Sequence, residues 1–464
     1  NLGAYDGCFI GSSRSRIEWR NGTASLTKGD REIERRLWTI AIKAASVISR
    51  RFNMNSRDRQ AWIIAVGLFV SLFFLWGSGY NTSPVFLSAL LKAFGWSHSK
   101  VSWLPSILVL AVGITGPMTG WLLDHFDARA VMGTGAALTG ASFILASRAT
   151  TFTELVVAYV GLGVGLGASS WMPASVVIAN WFGERRGTAL GLATAGMEFG
   201  GMAMAIVAGH IISQYGWSAA YFALSIPVFV LVVPFLAIFV RGRPPGTAKQ
   251  EGGESGQVMS GYEIGDAIRT RVFWLLIVTQ LFWGLSAGAV IHFVAYLTGI
   301  GYTLQFATTA FATLAGLAAV GKPTMGVLGD RIGGKNALAI ALLLIATSHM
   351  LVLGAGREWL LIVYLLVVGL SVASPVALAP LVLAETMGLR RFGTLYGWIQ
   401  VAAMLGLFGG PLIAGELFDL TRSYAVSFEV AALLAVAGAA ASFLCAAPQA
   451  SGVVLAVQAH GAAG

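Results

Sequence analysis

The sequence predicts an all-α integral membrane protein, with twelve transmembrane helices in two six-helix pseudo-symmetric bundles. Three observations carry that prediction. Of 464 residues, 56% are hydrophobic and only 11% charged, with a mean hydropathy of +0.75; soluble proteins average about 45–50% and 25%. The apolar residues fall in runs long enough to cross about 30 Å of hydrocarbon at about 1.5 Å per residue. Finally, the short polar loops between the runs repeat once along the chain.

In chain order, residues 1–60 form a basic tail holding 12 of the 30 Lys and Arg residues. Within it, Arg35–Arg51 places Leu37, Ile40, Ala44, Val47 and Ile48 on one helical face between basic ends. That pattern fits either a helix lying on an anionic membrane surface or a disordered segment. No cleavable signal is expected, because the first long apolar run starts only at Ala61 and is long enough to span. Six runs follow, near 61–83, 99–122, 130–147, 154–179, 188–213 and 218–240, making a first bundle over 61–240. Residues 241–271 open with Arg241-Gly242-Arg243-Pro244-Pro245-Gly246, are rich in Gly, Ser and charge, and read as a cytoplasmic linker. Six more runs, near 272–297, 304–328, 336–354, 359–384, 393–417 and 424–446, make a second bundle over 272–447, followed by a tail at 448–464. In lipid every backbone polar group must be satisfied internally, so such runs form helices.

Basic residues concentrate in cytoplasmic loops. With the first tail inside, 24 of the 30 Lys and Arg fall in the tail and inner loops. Five (Lys92, Lys100, Arg148, Arg357 and Arg422) fall in outer loops, and Lys322 lies within a span. Both termini are therefore expected in the cytoplasm, with the protein in the cytoplasmic membrane. The formal charge of +9 is an orientation signal, and no nucleic-acid partner is expected. Cys8 and Cys445 offer neither a disulfide framework nor a metal cluster.

The repeat lies in the inner loops. Gly120-Trp-Leu-Leu-Asp124 precedes Arg129, and Gly326-Val-Leu-Gly-Asp330 precedes Lys335, an offset of 206 residues. Arg186-Gly187-Thr188-Ala-Leu-Gly191 recurs as Gly393-Thr394-Leu-Tyr-Gly397 after Arg390 and Arg391, again displaced by 206. Two parallel repeats imply a pseudo-two-fold along the membrane normal and a cavity between the halves, which rocking opens to either side.

The loops GWLLDHFDAR and GVLGDRIGGK resemble the loop signature of the major facilitator superfamily, Gly-x-Leu-x-Asp-Arg-x-Gly-Arg-Arg. The first copy departs from it, with His125 in place of arginine and Asp127 in place of glycine. The resemblance implies a gating role for Asp124 and Asp330 with Arg129, Arg186, Arg331 and Lys335. Each aspartate would cap a neighbouring helix and pair with a cation, stabilising the outward-open state. A narrower resemblance, to monocarboxylate porters and oxalate/formate antiporters, rests on three stretches. These are Trp181-Phe182 through Ala195-Gly196, Gly410-Pro411 through Ser423-Tyr424, and an outer loop with Phe94-Gly95-Trp96 and Val101-Ser102-Trp103. It implies transport of a small organic anion with a proton or in exchange.

Lys322, in span 8, lies eight residues before Asp330 and so about 12 Å from the inner boundary, where a charge costs about 2.5–3.5 kcal/mol to insert. It is the leading anion contact, as the porter resemblance also implies from an arginine before Pro-x-Met-Gly; the alternative is a lysine snorkelling to the cytoplasm. Glu198, about 18 Å from the inner face, fits either a proton carrier or a protonated structural carboxyl. His292 and Tyr296, near the outer end of span 7, and Tyr80, Asn81, Trp171 and Gln400 are further candidate substrate contacts. Animal monocarboxylate porters carry a lysine where Asn81 stands and an aspartate where Ala318 stands, so a proton would need another acid, with Glu198 first.

Gly161–Gly167 imitates a dinucleotide loop but lies within a span with no strand, where small residues serve helix packing. Asn21-Gly22-Thr23 is a sequon in a cytoplasmic tail. No Walker A, His-Glu-x-x-His or serine-elbow pattern occurs, and no enzyme, cofactor or metal site is expected. The sequence thus points to secondary transport of a small organic anion, a monocarboxylate. A facilitator of a neutral or cationic solute, or a non-transporting membrane sensor on the same scaffold, stays open.

Overall fold

The computed structural model describes residues 56–96, 98–240, 242 and 261–445. Segment 35–51, Cys8, the sequon, most of the linker and the tail at 448–464 lie outside the described residues. From Gln60 onward the described residues form one compact unit. Span 1 comprises Ser56–Gly79 and Ser83–Phe94, span 2 His98–His125, span 3 Ala128–Ser147, and span 4 Phe152–Ser169 with Trp171–Trp181. Spans 7 to 12 are Arg271–Gly299, Leu304–Ile332, Gly334–Val352, Glu358–Met387, Phe392–Thr421 and Tyr424–Phe443.

Among the described residues, eleven apolar helices are long enough to cross a membrane, and one of them, Arg186–Phe239, is 54 residues long. That would extend about 80 Å, far beyond the roughly 30 Å of a hydrocarbon core. Gly216, at φ +83° and ψ 170°, divides it into spans 5 and 6, so the described residues supply twelve spans. This backbone region is reached essentially by glycine alone. Large apolar side chains on the outer helix faces, Ile114, Met118, Ile206 and Leu433 among them, are about two-thirds exposed, as a lipid solvent requires.

Local chemistry sets the helix ends. A Thr151/Glu154 capping box starts span 4, Thr270 caps span 7, and Thr303 caps span 8. The glycine-to-aspartate departure at Asp127 has a structural counterpart: its side chain accepts from Arg129 N at 3.1 Å and starts span 3. The equivalent residue in the second half is Gly333, and there Glu385 of span 10 accepts from Gly334 N at 2.8 Å to start span 9. One repeat caps itself; the other borrows a carboxylate.

Among the described residues, besides a π-helical turn at Val228–Val232 in span 6, four spans are interrupted, and they are the first and fourth of each half. Span 1 breaks at Tyr80–Thr82, span 4 at Ser170, span 7 through a tighter turn at Ala289–His292, and span 10 at Val372–Ser374. Two seams join the halves, one between spans 2 and 11, the other between spans 5 and 8. Gly120 meets Gly393 and Gly116 meets Gly397 at the first; Gly187 meets Gly326 and Gly191 meets Lys322 at the second. These contacts are related by the same 206-residue offset. At each glycine pair the backbones approach so closely that a β-carbon would overlap the facing backbone. The seams are therefore closed at the end carrying Asp124 and Asp330, here termed the motif face.

Candidate substrate site and gate

The two-fold pattern of small residues fails at one point. Lys322 takes the place that Gly116 holds in the other seam, and its side chain is 1% exposed. Because its backbone packs on Gly191, the amine must extend along the seam, and it runs away from the motif face. Nζ donates to Glu198 Oε1 at 2.7 Å and to the Thr194 carbonyl at 3.2 Å, and lies 3.9 Å from Met197 Sδ. The snorkelling alternative does not describe this geometry. An ammonium has three donors, and all three are directed at span 5. Glu198 is 21% exposed, so the pair has one fully buried partner and one partly exposed.

Asn81 and Tyr80 complete this group from the break in span 1. Asn81 Nδ2 donates to the Met197 carbonyl at 3.0 Å, one residue from Glu198, and the asparagine side chain packs against Gly201. Tyr80, half-buried, precedes Asn81 at the same break and packs its ring 5.2 Å from that of Trp76. Four of the sequence candidates thus converge from spans 1, 5 and 8.

The other candidates lie elsewhere. His292 Nε2 is 3.0 Å from the Pro411 carbonyl and its ring faces Tyr424, while Tyr296 donates to the Leu353 carbonyl at 3.3 Å. Both belong to packing within the second half. Trp171 sits edge-on to Tyr396, and Gln400 Nε2 donates to the Val112 carbonyl at 3.5 Å; both are about 1% exposed at the seam of spans 2 and 11.

At the motif face each aspartate reaches the start of a helix in the other half. Asp330 accepts from Gly187 N at 2.6 Å, Thr188 N at 2.7 Å and Thr188 Oγ1 at 2.5 Å. Asp124 accepts from Gly393 N at 3.0 Å, Thr394 N at 2.9 Å and Thr394 Oγ1 at 2.6 Å. The first N–H groups of a helix lack intrahelical partners and carry positive dipole charge, so a carboxylate there is doubly favoured. The candidate cations have other positions. Arg129 Nε is 3.9 Å from Asp127 on its own turn, Arg331 is exposed, and Lys335 is half-buried at the start of span 9. Arg186 donates to the carbonyls of Phe182 (3.1 Å) and Ala179 (3.0 Å), closing the end of span 4.

A contact unforeseen from the sequence involves the linker. Glu263, just before the short helix Ile264–Ala267, pairs with Arg390 Nη2 at 2.8 Å and Arg391 Nε at 3.0 Å. Tyr262 N donates to the Met387 carbonyl at 3.0 Å, tying the end of the linker to the loop before span 11. Arg391 also donates from Nη1 to His125 Nε2 at 3.2 Å, across the two halves. Nothing in the spacing of Glu263 marks it, since a charged linker is ordinarily solvated.

Paired helix-capping aspartates across a pseudo-two-fold agree with the comparison to known families, in which residues 68–321 match the model of the Major Facilitator Superfamily. The chain belongs to this superfamily. Its relatives include monocarboxylate transporter 13 of Bos taurus, 28% identical over 81% of this chain and 87% of the relative. The MFS transporter asaE of Aspergillus flavus is 25% identical over 77% and 80%. Among solved structures, the Major Facilitator Superfamily transporter FucP in the outward conformation superposes with a TM-score of 0.66 at 18% identity, over 83% of this chain and 99% of that one. The human organic anion transporter MFSD10 superposes with 0.62 at 16%, over 84% and 100%. These structures share the fold of this superfamily member, a multi-pass membrane transporter.

Proposed function

We propose that this transporter carries a small organic anion, a monocarboxylate, together with a proton by alternating access. The observation that carries the reading is the Glu198–Lys322 pair, a buried cation and its counter-ion contributed by opposite halves. A substrate carboxylate reaching Lys322 must displace Glu198. A charge left unpaired in low dielectric is expensive, so Glu198 leaves most readily by taking a proton. Anion and proton then load together, and no net charge enters the site. With neither bound, the pair neutralises itself, so the empty carrier can reorient, as symport requires and obligatory exchange does not. Glu198 in span 5 supplies the acid that the porter resemblance puts at Ala318 in span 8. Asn81 and Tyr80 line the approach to Glu198, while Trp171, Gln400, His292 and Tyr296 shape the surrounding packing.

In this reading the motif face is cytoplasmic, as the 24-to-5 distribution of basic residues indicates, and the closed seams describe an outward-facing state. Asp124 and Asp330 hold it, with Arg129, Arg186, Arg331 and Lys335 as surrounding cations. The similarity to proteins named monocarboxylate transporters supports the substrate class.

Purified protein in liposomes, given a panel of radiolabelled short-chain monocarboxylates, is expected to show saturable, protein-dependent uptake of at least one of them, competed by unlabelled anion but not by neutral sugars or amines. Carrier-dependent flux confined to neutral or cationic solutes would contradict the reading.

A further inference from the structure

The first motif copy carries a histidine where the second carries Arg331, and the structure gives that histidine a defined protonation-dependent contact. His125 Nδ1 lies 2.8 Å from the Trp121 carbonyl, one turn back on its own helix, and Nε2 lies 3.2 Å from Arg391 Nη1. A carbonyl oxygen only accepts and a guanidinium only donates, so the partners fix the ring as a neutral imidazole with its proton on Nδ1 and its lone pair toward Arg391. The Trp121 ring, 4.7 Å away between centroids, supports the imidazole on its helix. The histidine is exposed at the motif face, within reach of protons in solution.

We infer that His125 and Arg391 form a proton-sensitive latch between the two halves, closed when His125 is neutral and opened by acid on the motif side. Imidazole is the side chain whose charge ordinarily changes between pH 5 and 8. Protonation at Nε2 removes the acceptor and points an N–H at a guanidinium, turning a hydrogen bond into a like-charge contact. The charged groups around it are Asp124 of its own helix, Asp127 and Arg129 at the start of span 3, Arg390 and Arg391 before span 11, and Glu263 of the linker. The three carboxylates already have work. Asp124 caps span 11, Asp127 caps span 3, and Glu263 holds both arginines. Rescuing a protonated His125 would draw one of them from its present partner and loosen the closed face by another route. The seam of spans 5 and 8 has arginines at both matching positions, Arg331 and Arg185, so the acid response belongs to one seam alone.

This latch needs no substrate; only its placement toward cytoplasmic acid rests on the proposed orientation. The test is a distance measurement without substrate. Spin labels at Glu184 and Asn336, with Cys8 and Cys445 replaced by Ser, report separation of the motif face in nanodiscs between pH 7.5 and 5.5. In the otherwise unmodified protein the separated population is expected to rise about fivefold or more with acid. His125→Gln, which keeps an acceptor that cannot be protonated, is expected to stay at the pH 7.5 distribution throughout. Arg391→Gln, which removes the opposing charge, is expected to lose the response and decides the matter if the first variant fails to fold. A wild-type distribution unchanged by pH, or a full response in both His125→Gln and Arg391→Gln, would overturn the inference.

Discussion

Replacing Lys322 by Gln is expected to abolish monocarboxylate transport, lowering uptake by about 100-fold or more, while the protein still folds and inserts. The loss amounts to about 2.8 kcal/mol or more of anion stabilisation at about 1.4 kcal/mol per factor of ten, within the range for losing a charge-assisted interaction in a dry site. Folding is expected to survive because the partner left behind is Glu198, which is 21% exposed and can take a proton. The converse change is the harsher one structurally. Glu198→Gln leaves an ammonium that is 1% exposed with a carbonyl, a thioether and a neutral amide oxygen but no counter-charge, and removing one charge of a buried pair costs about 3–5 kcal/mol. Lys322→Arg keeps the charge but needs room for a planar fork beside Gly191, so it is expected to restore transport only in part. Uptake in liposomes together with thermal melting separates these effects, and undiminished transport by Lys322→Gln would identify the lysine as structural.

The second large effect is expected at the motif face. Asp330→Ala removes three hydrogen bonds to the start of span 5 and the only carboxylate placed on that helix terminus by these contacts. Bonds to a charged acceptor are worth about 1.5–3 kcal/mol each, partly offset by water reaching the freed N–H groups. The equilibrium between closed and open motif faces is therefore expected to move toward open by about 10- to 100-fold. Asp124→Ala is expected to act in the same direction through span 11. The two seams share no side chain in these contacts, so the effects should add. Cysteine accessibility along the motif-face half of spans 5 and 8 reads the shift; unchanged accessibility in both variants would show that the aspartates do not hold the gate.

Much of the fold was legible because lipid imposes a simple code. Runs of apolar residues near twenty long, punctuated by charged loops, leave helices as the only satisfied form, and the 206-residue offset carries the two-fold in the sequence itself. The two helix-capping aspartates were legible through the repeated loop motif: Asp124 and Asp330 each stand four residues after a glycine, Gly120 and Gly326. Breaks in spans 1, 4, 7 and 10 were hidden because Tyr80-Asn81-Thr82 or Ser170 does not disturb hydropathy. At the site, residue counts gave Lys322 and Glu198 similar depths but could not tell whether they faced each other across 124 positions of chain. His292 and Tyr296 show the opposite limit. A polar side chain in an apolar span signals an unusual need, but the need can be a carbonyl such as that of Pro411 or Leu353. Glu263 gave no signal, since its role depends on where the linker returns.

Uphill uptake driven by an imposed pH gradient, measured in liposomes for the unmodified protein and for Glu198→Gln, tests the proposed coupling most directly. Proton symport through Glu198 predicts that acid outside drives the unmodified protein to accumulate labelled monocarboxylate several-fold above equilibrium. It predicts that Glu198→Gln no longer accumulates it, while still exchanging labelled for unlabelled anion at equal pH. Accumulation by Glu198→Gln equal to that of the unmodified protein, or uptake by the unmodified protein that ignores the gradient, would contradict it.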